Sequence, residues 1–166
     1  MQTMTGHEID TDLKPGGFQL ETFFPYLVRV FYSDVTRALS DIYQRDYGMT
    51  PAEWRVMAIL GSSAEGMQAS EIVFRSSMDK VVVSRAVKRM EERKFLKRNA
   101  NAADGRSYLL SLSDTGRAAF EDLAPKLMAV EKQMLDGLED DEIQVVLAAM
   151  SKIRGNLAVS EPATEV

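Results

Sequence analysis

Apolar residues recur every three or four positions along most of the chain, which is the spacing that places them on one face of a helix. Over residues 18–47 this spacing predicts a long amphipathic helix that Pro25 either interrupts or delays. The sequence TPAE at 50–53 supplies an N-cap, a proline suited to the first helical position and a capping-box glutamate. It therefore predicts the start of a second helix, which should end near 61–66.

A short helix is expected over about 69–75, with a turn at Ser76-Ser77, and a longer helix over about 79–94. The valine triplet 81–83 favours a strand locally, but the longer segment keeps helical spacing. The runs FLKR and SYLLSLS flank the polar loop NANAADG and predict a β-hairpin over 95–112. A helix, a tight turn, a second helix and a hairpin are the elements of a winged helix-turn-helix.

Two more helices follow the hairpin. Ser113 can cap the first of them, which Pro125 is expected to kink. The acidic run EDDE after Gly137 suits the N-terminus of the second, which should reach about Ala158. The predicted fold class is therefore mainly α, or α+β by a strict count.

The expected organisation is a disordered arm over 1–17, one winged-helix domain over 18–158 and a frayed tail over 159–166. Charge is unevenly distributed along it, although the chain as a whole carries −5. Residues 75–106 hold ten Lys and Arg against four Asp and Glu, a net of +6, and the remainder carries −11. One basic segment on an acidic body indicates a local surface for nucleic acid.

Composition argues against several other classes of protein. The chain has no cysteine, and its single histidine, His7, lies in the polar N-terminal arm, so thiolate chemistry and histidine-based sites are hard to build. Neither a phosphate loop nor a spaced set of carboxylates is visible, so we expect no enzyme and no cofactor. No apolar run approaches the roughly 20 residues of a membrane span, which makes the cytoplasm the expected location.

The longer helix of the predicted helix-turn-helix should have an apolar and a basic face. Val83, Val87 and Met90 would pack inward, and residues near the helix start would reach base edges in the major groove. Later cations are better placed for phosphates, which fix position without reading sequence. The base-reading candidates are Lys80, Val81, Ser84 and Arg85, and the phosphate candidates are Lys88, Arg89, Arg93, Lys97 and Arg98. The alternative is a solvated basic face.

The hairpin tip carries the triplet Asp104-Gly105-Arg106. A tip beside a major-groove helix points at the neighbouring minor groove, which favours an inserted arginine. Asp104 can hold the Arg106 guanidinium in one rotamer, and Gly105 permits the tight turn. The alternative is an ordinary Asp-Gly turn with an exposed arginine.

The segments TPAEWRVMAIL, ASEIVFRSSMDKVVVSRAVKRMEERKFLKRNANAADGRSYLLSLSDTGR and LEDDEIQVVLAAM resemble, in order and spacing, the MarR (multiple antibiotic resistance regulator) family of bacterial transcriptional regulators. The resemblance covers about residues 20–157. Its most specific part is the wing, where Asp104 and Arg106 occupy the family's Asp-x-Arg positions. Ser113 and Gly116 match the opening of the fifth helix. Gly105 departs from the family's usual tip residue, which implies a looser tip.

The resemblance implies a homodimer joined through residues 18–47 and 115–158, with two DNA-binding lobes over 50–113 that straddle a pseudo-palindromic operator in double-stranded DNA. It also implies a repressor that a small aromatic or acyl ligand, including a CoA-linked one, releases from DNA. The ligand candidates lie on segments that line the pocket in relatives, and core packing is the alternative for each aromatic residue. They are Phe24, Phe31, Tyr32, Tyr43, Trp54, Arg55 and Met57, with Arg29 and Arg37 as further cations. The competing function is a winged helix that binds a protein and has no specific DNA target.

Overall fold

The structure is a computed structural model that describes residues 17–63, 65–101 and 107–159. Six α-helices and one antiparallel pair of strands make up these residues, with a 3-10 turn at Leu20–Thr22 before the first helix. This architecture confirms the predicted fold class. In chain order the elements are α1 (Phe24–Tyr47), α2 (Pro51–Gly61), α3 (Ala69–Ser76), α4 (Lys80–Glu92), β1 (Leu96–Ala100), β2 (Tyr108–Leu112), α5 (Asp114–Met134) and α6 (Asp140–Val159).

Local capping signals set where the first two helices start. α1 begins at Phe24 and has Pro25 in its first turn, where the backbone needs no N–H donor. Farther along the helix, a proline would lack the N–H that bonds to the preceding turn. Of the two alternatives for Pro25, the delayed start is therefore the one observed. The capping box of α2 forms as predicted: Glu53 N–H donates to Thr50 Oγ1 over 3.2 Å, and Thr50 N–H donates to Glu53 Oε2 over 2.7 Å.

Pro125, where a kink is expected, does not end the fifth helix. Pro125 lies inside α5, and the helix continues to Met134. At the other end Ser113 is the cap, since its Oγ accepts the N–H of Gly116 over 3.0 Å. α5 is thus one element that begins at the foot of the hairpin.

The core forms around α2, which contacts α1, α3, α4, α5 and β2. Its residues Val56 and Met57 are fully buried, as are Met90 of α4 and Leu123 of α5. Burial of such side chains contributes about 1.5–3 kcal/mol each. The lobe is therefore held together by packing on one short central helix.

Three aromatic rings stack across this core. The Trp54 ring of α2 lies 6.2 Å from the Tyr43 ring of α1 on one side and 6.2 Å from the Phe120 ring of α5 on the other. Both pairs are nearly parallel, an arrangement worth about 0.5–1.5 kcal/mol beyond the area that it buries. The stack joins the two long helices to the lobe.

The two strands of the hairpin run antiparallel, with Leu96 opposite Leu112 at one end and Ala100 opposite Tyr108 at the other. A third segment, not predicted, joins it at Met67, which exchanges two backbone hydrogen bonds of 2.9 Å with Leu110. The wing base is therefore anchored on the side that faces α2.

Helices α1 and α6 leave large apolar areas exposed. Tyr43 is the only residue of α1 that is buried, and α6 buries none among its described side chains. Exposed apolar residues on α6 include Val145, Val146, Leu147, Met150 and Leu157. Over the described ranges, none of the helices has the length and apolar character needed to cross a membrane.

Candidate nucleic-acid interface

The turn between α3 and α4 has a defined geometry. α3 ends at Ser76, and Ser77 adopts a left-handed conformation with φ of 52°. The Ser76 hydroxyl donates to the Val73 carbonyl over 3.0 Å and accepts the Met78 N–H over 3.3 Å. Asp79 then caps α4, its Oδ1 accepting the Val81 N–H over 2.7 Å. These bonds fix the direction in which α4 leaves α3.

Burial divides α4 into the two faces that the sequence indicated. Val83, Val87 and Met90 are buried, and Ala86, which was not among the predicted core residues, joins them. The opposite face is open to solvent. It carries Lys80, Val81, Ser84, Arg85, Lys88 and Arg89.

Two arginines of this face are available to an external partner. Within the described part of the chain, neither Arg85 nor Arg89 has a hydrogen bond or an ion pair. Lys88 lies 3.9 Å from Glu92, a loose exposed pair worth little. Arg85 and Arg89 can therefore meet phosphates or base edges without breaking internal contacts, and Lys88 can do so at the loss of one loose pair.

Arg98 differs from Arg85 and Arg89, because its guanidinium already binds the Glu91 carboxylate. Its Nη2 donates to Glu91 Oε2 over 2.8 Å, and its Nε donates to Glu91 Oε1. The guanidinium also lies 4.2 Å from the centre of the Tyr108 ring. Arg98 thus joins α4 to both strands of the wing, and its charge is largely compensated by Glu91.

Arg93 corrects the prediction that it is a phosphate contact. Its guanidinium donates to the Tyr47 carbonyl and, over 3.3 Å, to the Gly48 carbonyl, and it lies 4.8 Å from the Phe95 ring centre. These are unpaired carbonyls at the C-terminus of α1, where a cation is favourable. No local signal could have indicated this contact, since the partners are 46 residues apart.

A groove of about 570 Å³ lies between α3, α4 and the wing base. Lys80, Ser84 and Lys88 line one side, and Arg98 and Tyr108 line the other. The groove brings α4 and the hairpin to one surface. The wing-tip residues Asp104 and Arg106 lie outside the described residues.

The predicted ligand residues separate into two groups. Tyr43, Trp54, Tyr32 and Arg55 lie together where α1 meets α2, with Arg55 beside the Tyr32 hydroxyl. The Arg55 guanidinium, and after it the Thr36 hydroxyl, lowers the pKa of Tyr32, whereas burial raises the pKa of Tyr43.

The remaining three ligand candidates do not join this cluster. Phe24 and Phe31 are exposed on α1. Met57 is 0 % exposed within the core, so its assignment to a pocket wall was wrong. Apolar character alone does not distinguish a core position from a pocket position on α2.

A helix-turn-helix with a basic outer face, followed by an antiparallel hairpin, defines the protein as a winged helix-turn-helix protein. A family model described as the MarR family matches residues 47–107, which include α2, α3 and α4. The curated relatives include the HTH-type transcriptional regulator YwaE of Bacillus subtilis, 24% identical over 91 residues, 55% of this chain and 53% of YwaE. The chain is thus matched over about half the length of that relative. The HTH-type transcriptional repressor MdtR of Bacillus subtilis is 27% identical over 121 residues, 67% of this chain and 77% of MdtR.

Solved structures share the fold. A MarR/EmrR family regulator from Acinetobacter sp. ADP1 superimposes with a TM-score of 0.77 at 24% identity, over 85% of this chain and 99% of that one. The MepR–DNA complex of S. aureus gives 0.73 at 17% identity, over 80% and 97%. CouR from Rhodococcus jostii RHA1, bound to p-coumaroyl-CoA, gives 0.73 at 18% identity, over 81% and 94%.

Proposed function

We propose that the protein is a homodimeric, sequence-specific DNA-binding regulator, and a repressor that a small aromatic or acyl anion releases from its operator. The observation that carries the proposal is the exposed basic face of α4 beside the wing, with Arg85 and Arg89 unpaired among the described residues. A free guanidinium can donate two hydrogen bonds to O6 and N7 of guanine, which is the commonest base-specific contact in the major groove. DNA as the target implies action in the bacterial cytoplasm.

Exposed apolar side chains support a dimer joined through α1, α5 and α6. Side chains such as Phe31, Val145 and Leu157 are more than half exposed on these helices. An isolated chain with apolar areas of this extent would aggregate, and a partner that supplies the same helices would cover them. Two lobes related by a two-fold axis would then face two half-sites of a pseudo-palindrome.

Each component has some support from the related proteins. MdtR is named a repressor, MepR was crystallised with DNA, and CouR was crystallised with an aromatic acyl-CoA. For this chain we assign base reading to Lys80, Val81, Ser84 and Arg85. We assign phosphate contacts to Lys88, Arg89 and Lys97, with Arg98 as a shared contact and Asp104 and Arg106 as the wing-tip pair.

The test begins with selection of duplexes from a random DNA library, followed by fluorescence anisotropy on the selected site over a series of salt concentrations. We expect affinity to fall steeply with salt, because bound phosphates release counterions. Arg85→Ala should cost about 1–3 kcal/mol on the selected site and relax the sequence preference. Lys132→Ala, an equal charge change at an exposed position of α5, is the control, and it should bind like the unsubstituted protein with an unchanged oligomeric state in sedimentation.

Two outcomes would contradict the proposal. If Arg85→Ala lowers affinity equally for all duplexes, Arg85 does not read bases. If the folded protein selects no duplex and shows no salt-dependent binding, the alternative of a protein-binding winged helix is favoured.

A further inference from the structure

The groove between α3, α4 and the wing base has a carboxylate among the cations that line it. Lys80 and Lys88 of α4 and Arg98 of β1 bring positive charge to its walls, and Glu91 of α4 brings a negative charge. A carboxylate repels the phosphates of DNA, so its presence on a surface proposed for DNA lowers the affinity for any duplex. None of the DNA contacts assigned above involves Glu91.

Glu91 binds Arg98 along one whole edge of the guanidinium. Arg98 Nε donates to Glu91 Oε1, and Nη2 donates to Oε2 over 2.8 Å. Two parallel bonds of this kind make a strong and geometrically specific pair. The Glu91 side chain is 23% exposed, so solvent screens this pair less than it screens Glu92 and Lys88, whose charged atoms are 3.9 Å apart on open surface. Glu91 therefore holds its partner firmly.

The Tyr108 ring gives the Arg98 guanidinium a second support. The ring centre lies 4.2 Å from the guanidinium carbon, within the distance of a cation–π contact. Without the Glu91 carboxylate, the guanidinium would stay beside this ring, and its Nε and Nη2 would be left to donate to another acceptor. A phosphate accepts such bonds with the same bidentate geometry as a carboxylate.

We propose that Glu91 is an internal competitor of DNA phosphates, which withholds one edge of the Arg98 guanidinium from the duplex and thereby limits sequence-independent affinity. The proposal rests on the proposed function, because it concerns the affinity of the same surface for DNA. Binding to non-specific DNA is essentially electrostatic, so a compensated arginine lowers it directly. Because a genome offers a large excess of non-specific sites, a weaker hold on them leaves more of the protein free to reach an operator.

The expected size of the effect follows from the release of counterions. Each phosphate that a protein neutralises changes the slope of log affinity against log salt by about 0.9. Arg98 released from Glu91 would add one such contact for each wing that touches the duplex. Glu91→Gln should therefore bind about 3- to 10-fold more tightly per wing at about 0.1 M salt, and the gain should shrink as salt rises. The gain should be equal for all sequences, because a phosphate contact does not read bases.

The experiment is fluorescence anisotropy on a random-sequence duplex and on the selected duplex, over a series of salt concentrations. Glu91→Gln keeps the size of the side chain and removes its charge. Glu92→Gln is the matched control, since it removes the same charge at the next position but breaks only a loose, exposed pair. We expect it to raise affinity at most about 2-fold, because salt screens an exposed charge. A control that gains as much as Glu91→Gln would show an effect of net charge alone and would overturn the proposal.

The Arg98→Ala background separates the contact from the charge. Glu91→Gln changes the net charge equally with and without Arg98, but only the background that retains Arg98 has a guanidinium to release. In Arg98→Ala the gain should therefore fall to that of Glu92→Gln, and an equal gain in both backgrounds would overturn the proposal. Glu91→Ala, which also suits a helix, should reproduce the gain, so the result does not depend on the folding of a single variant.

The same titrations distinguish a failure of this proposal from a failure of the proposed function. If the unsubstituted protein binds the selected duplex and Glu91→Gln gains no more than Glu92→Gln, the competitor role fails and the proposed function stands. If Glu91→Gln binds every duplex more tightly than a protein that prefers no sequence, the competitor role stands and sequence-specific binding fails. If neither protein binds any duplex, both proposals fail.

Discussion

Replacement of Gly116 by alanine sets two physical effects of opposite sign against each other. Alanine is the better helix former, which by itself would stabilise α5 by about 0.5–1 kcal/mol. A Cβ at this position, however, would lie 2.0 Å from the carbonyl oxygen of Phe95 and 2.9 Å from its carbonyl carbon. Both are backbone atoms, so no side-chain rotation can relieve the contact.

The size of the loss follows from what must move. Relief to an ordinary separation of about 3.5 Å requires a shift of about 1.5 Å between the start of α5 and the foot of the wing. That shift strains the Ser113 bonds to the Gly116 N–H, at 3.0 Å, and to the Lys94 carbonyl, at 2.5 Å. Overpacking of this kind and a lost cap together cost about 2–4 kcal/mol. The net result is a loss of about 1–3 kcal/mol, which lowers Tm by about 3–10 °C.

The assay is thermal unfolding of Gly116→Ala beside Ala118→Gly, which makes the reverse exchange at an exposed position two residues along α5. Ala118→Gly measures helix propensity alone and should cost about 0.5–1 kcal/mol. A Tm for Gly116→Ala equal to or above that of the unsubstituted protein would refute the reasoning.

Three other substitutions test separate parts of the molecule. Val146→Asp places a charge in the exposed apolar area of α6, and sedimentation should show a smaller species or aggregation; an unchanged dimer would place the interface elsewhere. Arg98→Ala leaves Glu91 without its partner beside the groove and should weaken all duplexes about equally in anisotropy, so a sequence-selective loss would contradict this role. Lys126 lowers the carboxyl pKa of Asp46 and of Asp122, and the stabilisation is therefore present above the ordinary value of 3.8 and is lost as pH falls through the lower folded values. The Tm difference between Lys126→Met and the unsubstituted protein should thus shrink between about pH 7 and pH 3, and a difference that stays constant would exclude the ion pairs as its cause.

Features that depend on neighbouring residues in the chain were predictable. The capping box at Thr50 and Glu53 and the buried face of α4 each follow from a few consecutive residues. The wing also follows from alternation and a turn signal, because a hairpin pairs adjacent segments. Family resemblance then supplied the role of this surface.

Features that depend on distant pairing were not predictable. Arg93, Lys97 and Arg98 look alike in sequence, yet Arg93 caps α1 and Arg98 is bound by Glu91. The bridge from Met67 to the hairpin and the burial of Met57 also depend on how separate elements meet. A basic residue of this segment is thus available to DNA only where its side chain does not already bind a carboxylate or a carbonyl of the protein itself.

The length of α5 has a mechanical consequence. It is one helix of 21 residues, about 30 Å long, whose first turn is tied to the foot of the wing through Ser113 and Gly116. In a dimer joined at the far end of this helix, a rotation of about 5° there would displace the wing foot by about 3 Å, close to the 3.4 Å rise of one base pair. The spacing between two such wings is therefore sensitive to angular changes that would scarcely alter the packing at the dimer end. Under the proposed function, a ligand would need to tilt α5 only slightly to shift the two wings out of register with the helical repeat of the operator.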